Sequence, residues 1–380
     1  MEANLAVKIA FTGLSEQAAR LRSQIDKNIA AVLDHQQFIM GPEVRILEEK
    51  LQKFCGAKHA IAVANGTDAL QIALMAQGIS PGDSIFVPSF TYTATAEVIL
   101  ILGAVPIFVD VKEGSFNIDC DDLKLKIAAA RQRGANPKAV IAVDLFGLPA
   151  DWKTLNAIAR AEGLALIADA AQSYGAVAAS GQKVGTLAPI TTTSFFPAKP
   201  LGCYGDGGAI FTDDDDLAQA MRSIRVHGQG KAKYETVRVG MNSRLDTIQA
   251  AILLAKLEIF AEEIENRNAL AHAYHKRLSA AVRTPEKPDG VISAWAQYTV
   301  RVHKREQIQT QLSADGVPTA VYYPLPMHLQ PAYAQYGNGP GSLTVSERLS
   351  SEVMSLPMNP YWQPDDVETV CLSLLNALSN

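Results

Sequence analysis

Apolar positions follow two alternating patterns along the first half of the chain. Short runs rich in apolar residues, typical of buried strands, occur at residues 60–64, 84–88, 105–109, 140–145 and 164–168, and a further strand is predicted at 190–193. Between most of them, apolar residues recur at helical spacing over 69–75, 92–102, 120–131 and 152–161. Because parallel strands are joined by crossovers and buried on both faces, the pattern predicts an α/β fold with a mostly parallel sheet.

The two ends of the chain carry different patterns. Residues 14–33, and the segment from Gly41-Pro42 to Gly56, each have one apolar face and predict two N-terminal helices. Residues 245–278 predict one long helix, followed by strands at 295–302 and 319–323 and a helix at 304–315. We expect a large α/β domain over residues 1–255 and a smaller C-terminal α+β domain over residues 256–380.

Composition and charge narrow the function classes. The chain has 380 residues, 48% of them hydrophobic, and a net charge of -5 with its 34 Lys and Arg residues scattered. We therefore expect no nucleic-acid partner. The longest apolar stretch is interrupted by Glu97, Gly103 and Pro106, and the first four residues do not resemble a signal peptide, so we expect no membrane span and a cytoplasmic location.

The four cysteines argue against two further kinds of site. They are widely separated and form no C-x-x-C pair, so we expect neither a zinc site nor a disulfide framework. Cys203 is interpreted as a packed thiol rather than a nucleophile.

Lys199 lies between Pro197 and Pro200 in the segment 194–208, S-F-F-P-A-K-P-L-G-C-Y-G-D-G-G. The prolines exclude a helix interior, so we expect this lysine on a turn. Most lysines are solvated, but the apolar, tightly turning surroundings of this one predict burial, which lowers the pKa of an ammonium group. A neutral amine can attack an aldehyde, which makes Lys199 the candidate nucleophile.

Three further polar residues follow predicted strands: Thr67, Asp169 and Ser194. Ligands of parallel sheets bind at the carboxyl ends of the strands, and a strand that enters a helix through N-G-T-D directs backbone N–H groups toward an anion. Pyridoxal phosphate needs an amine, an anion seat, a carboxylate at its ring nitrogen and a planar contact for its ring, and Tyr92 is the candidate for that contact. The alternatives are a helix N-cap for Asp169, turn chemistry for Gly66, Thr67 and Ser194, and a core position for Tyr92.

Six stretches occur in the order typical of one family. They are N-G-T-D-A-L at 65–70, P-S-F-T-Y-T-A-T-A at 88–96, D-A-A-Q-S at 169–173, S-F-F-P-A-K-P-L-G at 194–202, G-D-G-G-A-I at 205–210 and V-G-M-N-S-R-L at 239–245. The chain resembles, over nearly its full length, the nucleotide-sugar aminotransferases of the DegT/StrS type. The resemblance implies the fold-type-I architecture of enzymes that depend on pyridoxal 5'-phosphate.

The resemblance also implies a role for each matching residue. Lys199 resembles the lysine that bonds the cofactor and carries protons, Asp169 the partner of the pyridine nitrogen, and Gln172 a donor to the phenolic oxygen of the ring. Tyr92 resembles the residue that stacks on the ring, and Gly66, Thr67 and Ser194 resemble the residues that bind the phosphate. Asn242 resembles a residue that reaches the phosphate in the neighbouring subunit, which implies a homodimer with shared active sites, and Arg244 resembles a cation on the substrate side.

Within the family, the runs around Lys199 and Arg244 are most similar to enzymes that aminate UDP-2-acetamido-2-deoxy-3-oxo-glucuronate. The implied amino donor is glutamate, and the implied product serves lipopolysaccharide or another surface polysaccharide. Tyr323 is expected in the substrate pocket. Related enzymes carry a histidine at the position before it, where this chain has Tyr322, so a 3-keto- or 4-keto-6-deoxy nucleotide sugar stays an alternative substrate.

The sequence disfavours two other functions. Relatives that dehydrate deoxysugars carry histidine in place of the lysine, and Lys199 argues against that reaction. A regulator without turnover is disfavoured because every part of the site is present. His328 and His227 are interpreted as structural rather than as pocket residues.

Overall fold

Seven strands form the central sheet in the computed structural model, which describes residues 9–232 and 234–379. Their spatial order is β1-β7-β6-β5-β4-β2-β3. Strand β7 runs antiparallel to both of its neighbours, and the other pairs are parallel. The strands are β1 His59–Val63, β2 Asp83–Pro88, β3 Val105–Val109, β4 Asn136–Val143, β5 Ala165–Asp169, β6 Ile190–Ser194 and β7 Gly208–Thr212. The α/β fold class predicted from the sequence is confirmed.

Helices precede, connect and follow these strands. The N-terminal pair is α1 Leu14–His35 and α2 Pro42–Cys55, and Gly56 ends α2 in the left-handed conformation that glycine adopts without strain. The helices of the sheet region are α3 Gly66–Ala76, α4 Ala94–Ile101, α5 Cys120–Gln132, α6 Trp152–Glu162 and α7 Asp215–Ile224. Helix α4 begins two residues after Tyr92, and β4 ends immediately before Asp144.

Alternate residues of each strand face opposite sides of the sheet, and both sides are buried. Along β1, Ile61 and Val63 join the core formed with α3, α4 and α7, whereas Ala60 and Ala62 join the core formed with α2, α5 and α6. Apolar burial on both faces explains why these strands read as continuous apolar runs.

The C-terminal part has its own core around a two-stranded sheet. The elements after α7 are α8 Thr247–Leu257, α9 Phe260–Leu278, β8 Tyr298–Arg301, α10 Arg305–Ala314, α11 Thr344–Glu352, β9 Val353–Leu356 and α12 Pro364–Ser379. Helix α8 packs on α1 and α2 and lies outside this core. Side chains from α9, α10 and α12 pack against β8 and β9. The predicted division after residue 255 stays a prediction.

Two predictions in this region are wrong. Residues 245–278 form two helices, because the chain turns at Glu258 and Ile259, which sends Phe260 against Tyr174 with ring centroids 6.0 Å apart. The apolar period continues across that turn, so it gave no sign of the break. Residues 319–323 form no strand, since β9 pairs with β8 and leaves only a single bridge from Ser355 to Ala320.

Within the described residues, no helix is long and apolar enough to cross a bilayer.

Candidate active site

The carboxyl ends of β1, β5 and β6 meet at one edge of the sheet. Val63 at the end of β1 and Ser194 at the end of β6 both pair with Gly208 of the antiparallel strand between them. Asp169 at the end of β5 pairs with Thr192 of β6. The predicted convergence of Thr67, Asp169 and Ser194 at this edge is therefore observed.

Helix α3 presents its N-terminus to the same edge. The side chain of Asn65 caps the helix by accepting a hydrogen bond from the N–H of Asp68 at 2.8 Å. The first N–H groups of the helix, those of Gly66 and Thr67, have no acceptor within the helix and favour an anion there. A Cβ built on Gly66 would lie 2.7 Å from the Cβ of Ser194, so this close approach requires glycine. The residues predicted to hold phosphate are thus brought together.

Lys199 lies on a turn, as predicted. Its N–H donates to the carbonyl of Phe196 at 2.8 Å, and the N–H of Cys203 donates to the carbonyl of Phe195 at 2.8 Å, which closes the loop around the lysine. A Cβ on Gly202 would lie 2.5 Å from the carbonyl oxygen of Pro197, so only glycine fits this closure. Burial lowers the pKa of the Lys199 ammonium, and the nearby charge of Asp169 opposes that shift.

Asp169 is buried at the end of β5, and its carboxylate has two donors. Thr95 Oγ1 donates to Oδ2 at 2.9 Å, and the N–H of Ala171 donates to Oδ1 at 3.2 Å. Burial raises the pKa of Asp169, against the lowering effects of these hydrogen bonds and of the Lys199 charge. The chain turns at 171–175 instead of entering a helix, so the N-cap interpretation of Asp169 is wrong.

Gln172 has an amide orientation fixed by its partners. Its Oε1 accepts from the N–H of Phe146 at 2.5 Å, and because a backbone N–H can only donate, the amide nitrogen must point the other way. That nitrogen donates to the hydroxyl of Tyr323 at 3.3 Å. The amide N–H of Gln172 therefore points away from Phe146 and toward Tyr323.

Tyr92 precedes α4 and is 57% exposed, which excludes a core position. Its ring centroid is 6.2 Å from that of Tyr323, whose ring in turn lies 6.3 Å from that of Phe90. Tyr322 packs beside Tyr323 with ring centroids 5.9 Å apart. An aromatic wall thus borders the site, with Tyr92 at its solvent side.

The segment 242–244 passes beside the turn between β1 and α3. The hydroxyl of Ser243 accepts from the N–H of Ala64 at 3.2 Å. Asn242 is exposed, and within the part of the chain that the structure describes no hydrogen bond joins its side chain to Lys199 or Asp169. The Nε of Arg244 is buried and has no hydrogen-bond partner in the described ranges. Such a group favours an anionic ligand.

The residues interpreted as structural behave in two ways. His328 is fully buried, with Nδ1 2.7 Å from Ser89 Oγ and Nε2 3.1 Å from Glu347 Oε1, and so lies outside the site. His227 is exposed. Cys203 is buried, and burial raises its pKa to about 11, which fits a packed thiol.

Two residues beside the site did not emerge from the sequence. Thr95 supports Asp169, and Asp144 lies directly after β4 at the same sheet edge. The rule that identified Asp169, a carboxylate following a parallel strand, would have identified Asp144 if the end of β4 had been placed at residue 143.

A family model describing the DegT/DnrJ/EryC1/StrS aminotransferase family matches residues 19–375. The chain belongs to this family. This DegT/DnrJ/EryC1/StrS aminotransferase is 49% identical over 97% of its length to the whole UDP-2-acetamido-2-deoxy-3-oxo-D-glucuronate aminotransferase of Pseudomonas aeruginosa. It is also 43% identical, over 96% of its length and 97% of the relative, to a pleiotropic regulatory protein of Geobacillus stearothermophilus.

Solved structures show the same fold. A DegT/DnrJ/EryC1/StrS aminotransferase from Brucella abortus superimposes with a TM-score of 0.95 at 47% identity, covering 97% of this chain and 99% of that one. NtdA from Bacillus subtilis, with bound cofactor PMP, superimposes with a TM-score of 0.90 at 29% identity, covering 100% of this chain and 87% of that one. The family and the fold-type-I architecture expected from the sequence are confirmed.

Proposed function

We propose that this aminotransferase moves the amino group of glutamate to a UDP-linked ketosugar, UDP-2-acetamido-2-deoxy-3-oxo-glucuronate, for lipopolysaccharide or another surface polysaccharide. The observation that carries the proposal is the meeting, at one sheet edge, of an amine of lowered pKa, a buried carboxylate and a helix N-terminus. The cytoplasmic location expected from the sequence belongs to the same proposal and rests on the substrate class.

Pyridoxal phosphate, the cofactor of this family of aminotransferases, fits the residues present. The close approach of Gly66 to Ser194, which a Cβ would fill, leaves backbone N–H groups and a hydroxyl for the phosphate. Asp169 is buried and forms no salt bridge with another described residue. A protonated ring nitrogen would supply the missing cation. When bound, the cofactor supplies an electrophilic aldehyde and a ring that accepts electrons.

The side chains then divide the remaining work. Lys199, whose ammonium pKa is lowered by burial, would bond the cofactor and afterwards accept and return protons at Nζ. Asp169 would hold the proton of the ring nitrogen, and Gln172, whose amide N–H points away from Phe146, would donate to the phenolic oxygen of the ring. Tyr92, at the solvent side, would cover one face of the ring.

The substrate assignment rests on charge and on the 49% identical relative. A nucleotide sugar with a uronate carries a pyrophosphate and a carboxylate, and the buried, unpartnered Nε of Arg244 suits such an anion. Tyr323, whose hydroxyl already contacts Gln172, is assigned to the sugar pocket.

Replacing Lys199 tests the mechanism. We expect Lys199→Ala to lose turnover while keeping the wild-type melting temperature and fold, because the side chain acts in the chemistry rather than in the core. Borohydride reduction of the loaded wild-type protein, followed by peptide mass analysis, should place the cofactor on Lys199. Turnover at the wild-type rate in Lys199→Ala, or fixation on another lysine, would contradict the proposal.

Amination of paired substrates tests the sugar. With glutamate as donor, we expect turnover of the UDP-linked 3-keto uronate to exceed that of 4-keto-6-deoxy sugars, and Arg244→Met to raise KM for the uronate. A preference for the deoxy sugar would move the assignment to the alternative substrate. Spectral conversion of the bound cofactor by glutamate would separate an enzyme from a regulator that binds the cofactor without turnover.

A homodimer with shared active sites is part of the same proposal. Asn242 is exposed, and the apolar side chains of Phe196 and Tyr204, beside the Lys199 turn, are 51% and 43% exposed, which suits a surface covered by a second subunit. We expect Asn242→Ala to weaken cofactor retention.

Mixing Lys199→Ala with Asn242→Ala, at a cofactor concentration too low to load the sites of Asn242→Ala, makes that test decisive. If Asn242 serves the neighbouring site, random exchange of Lys199→Ala and Asn242→Ala subunits restores one complete site in each mixed dimer, or about one quarter of wild-type activity. No recovery after verified subunit exchange would overturn the shared site.

A further inference from the structure

Asp144 is a fully buried carboxylate to which neither the family resemblance nor the proposed chemistry gives a role. Three donors converge on it. The N–H of Ala150 and the Nε1 of Trp152 donate to Oδ1 at 2.7 and 2.9 Å, and the hydroxyl of Ser173 donates to Oδ2 at 2.8 Å. A buried carboxylate is costly unless its oxygens are hydrogen-bonded, and here both are.

These contacts join two segments that flank the site. Asp144 and Asp169 occupy the ends of neighbouring strands, and the N–H of Asp144 donates to the carbonyl of Asp169 at 3.1 Å. Ser173 follows Gln172 in the turn 171–175, which has no regular helix to hold it. The bond from Ser173 to Asp144 and the bond from Phe146 to Gln172 therefore fix this turn to the segment after β4.

We propose that Asp144 is a positioning residue that acts through Ser173 to hold the turn bearing Asp169 and Gln172 at the geometry the cofactor ring requires. This inference rests on the proposed roles of Asp169 and Gln172. Loss of the Ser173 hydrogen bond removes one of these two links, so Gln172 and Asp169 would be held less closely at the position of the ring. Such errors of position are costly to catalysis.

The chemistry of the contacts predicts which substitutions are tolerated. In Asp144→Asn, the amide oxygen can accept from Ala150 and Trp152, and the amide nitrogen can donate to the Ser173 hydroxyl, so all of these contacts survive. In Asp144→Ala, three donors lose their acceptor, two of them outside the turn. Ser173→Ala removes only the link to the turn and is the cleaner test.

The chain offers a matched control for Ser173. Ser373 in α12 is also buried and donates its hydroxyl to an aspartate, Asp315 Oδ2, at 2.6 Å, but in the separate C-terminal core. Ser173→Ala and Ser373→Ala thus remove the same kind of bond.

The experiment measures pyridoxal phosphate affinity of the apoproteins, the pH at which the absorbance of the bound cofactor changes, and the melting temperature of each apoprotein. We expect Ser173→Ala to bind the cofactor about 10-fold more weakly and to shift the absorbance titration. Asp144→Asn should stay within about 3-fold of wild type, and Ser373→Ala should lose melting temperature alone.

Two outcomes would overturn the positioning role: wild-type affinity and titration in Ser173→Ala, or losses in Asp144→Asn as large as those in Asp144→Ala. Asp169→Asn and Gln172→Ala distinguish this from failure of the proposed site. If they retain wild-type affinity and titration, the assignment of the ring partners fails; if they lose them while Ser173→Ala does not, only the positioning role fails.

Discussion

Substituting Gly66 by alanine tests the closest approach in the anion seat. Gly66 is the first residue of α3 and does not adopt a left-handed backbone, so alanine is acceptable to the helix itself. Its Cβ, however, would lie 2.7 Å from the Cβ and 3.3 Å from the Oγ of Ser194. Carbon atoms in contact prefer separations of about 3.5–4.0 Å, so the start of α3 and the end of β6 must move apart.

The magnitude follows from the size of that overlap. Inserting one methyl group into a well-packed site costs about 1–3 kcal/mol. If this cost falls on the phosphate-binding residues, the affinity for the cofactor decreases by about 5- to 150-fold. The assay is titration of apoprotein with pyridoxal phosphate, with the apoprotein melting temperature measured in parallel.

A double substitution isolates the steric cause. Ser194→Gly removes the Cβ that the new methyl group meets, so Gly66→Ala combined with Ser194→Gly should recover part of the loss, with a coupling of about 1 kcal/mol. Ser194→Ala removes the hydroxyl but keeps the Cβ, and should give no recovery. Wild-type affinity and melting temperature in Gly66→Ala, or equal recovery by Ser194→Ala, would refute the steric reasoning.

Three further predictions follow from buried polar groups. Burial lowers the pKa of Lys256 to about 8, so above that pH the unfolded chain binds more protons than the folded one, and stability rises with pH up to the usual lysine range. Lys256→Met should therefore flatten the rise in melting temperature between about pH 8 and 10. An unchanged slope would contradict this prediction. Thr95→Val removes the 2.9 Å hydrogen bond to Asp169 and should raise that carboxyl pKa further and weaken cofactor binding about 10-fold, whereas an unaltered dissociation constant would count against Asp169 as ring partner. Ser89→Ala leaves the buried Nδ1 of His328 without its partner and should cost about 1–3 kcal/mol of stability, measured by denaturant titration, so a wild-type midpoint would disprove the structural role of His328.

Local chemistry explains which predictions from the sequence succeeded. Strands buried on both faces are rich in apolar residues, and so 84–88 and 140–143 were recognised from their composition. Pro197 and Pro200 restrict the backbone on both sides of Lys199 whatever the rest of the fold, and so the turn at this lysine was predictable. The start of α3 is likewise determined locally, because the Asn65 side chain accepts a hydrogen bond from the N–H of Asp68.

Predictions failed where a distant partner decided the outcome. The break between α8 and α9 coincides with the contact of Phe260 with Tyr174, 86 residues before it, and no feature of the apolar period marks it. The loss of a strand at 319–323 depends on which strand β9 pairs with. The N-cap interpretation of Asp169 was excluded only by the turn that follows it.

By itself the sequence determined six of the seven strands of the central sheet, most of the helices around it, the sheet edge at which the site lies, and the lysine on a turn. Only the tertiary structure decided which donors meet which acceptors there: Thr95 with Asp169, Gln172 with Tyr323, and Ser173 with Asp144. The physical reason is one of range. Secondary structure follows from contacts within a few residues, whereas a hydrogen bond needs two atoms about 3 Å apart, which the packing of the whole sheet sets.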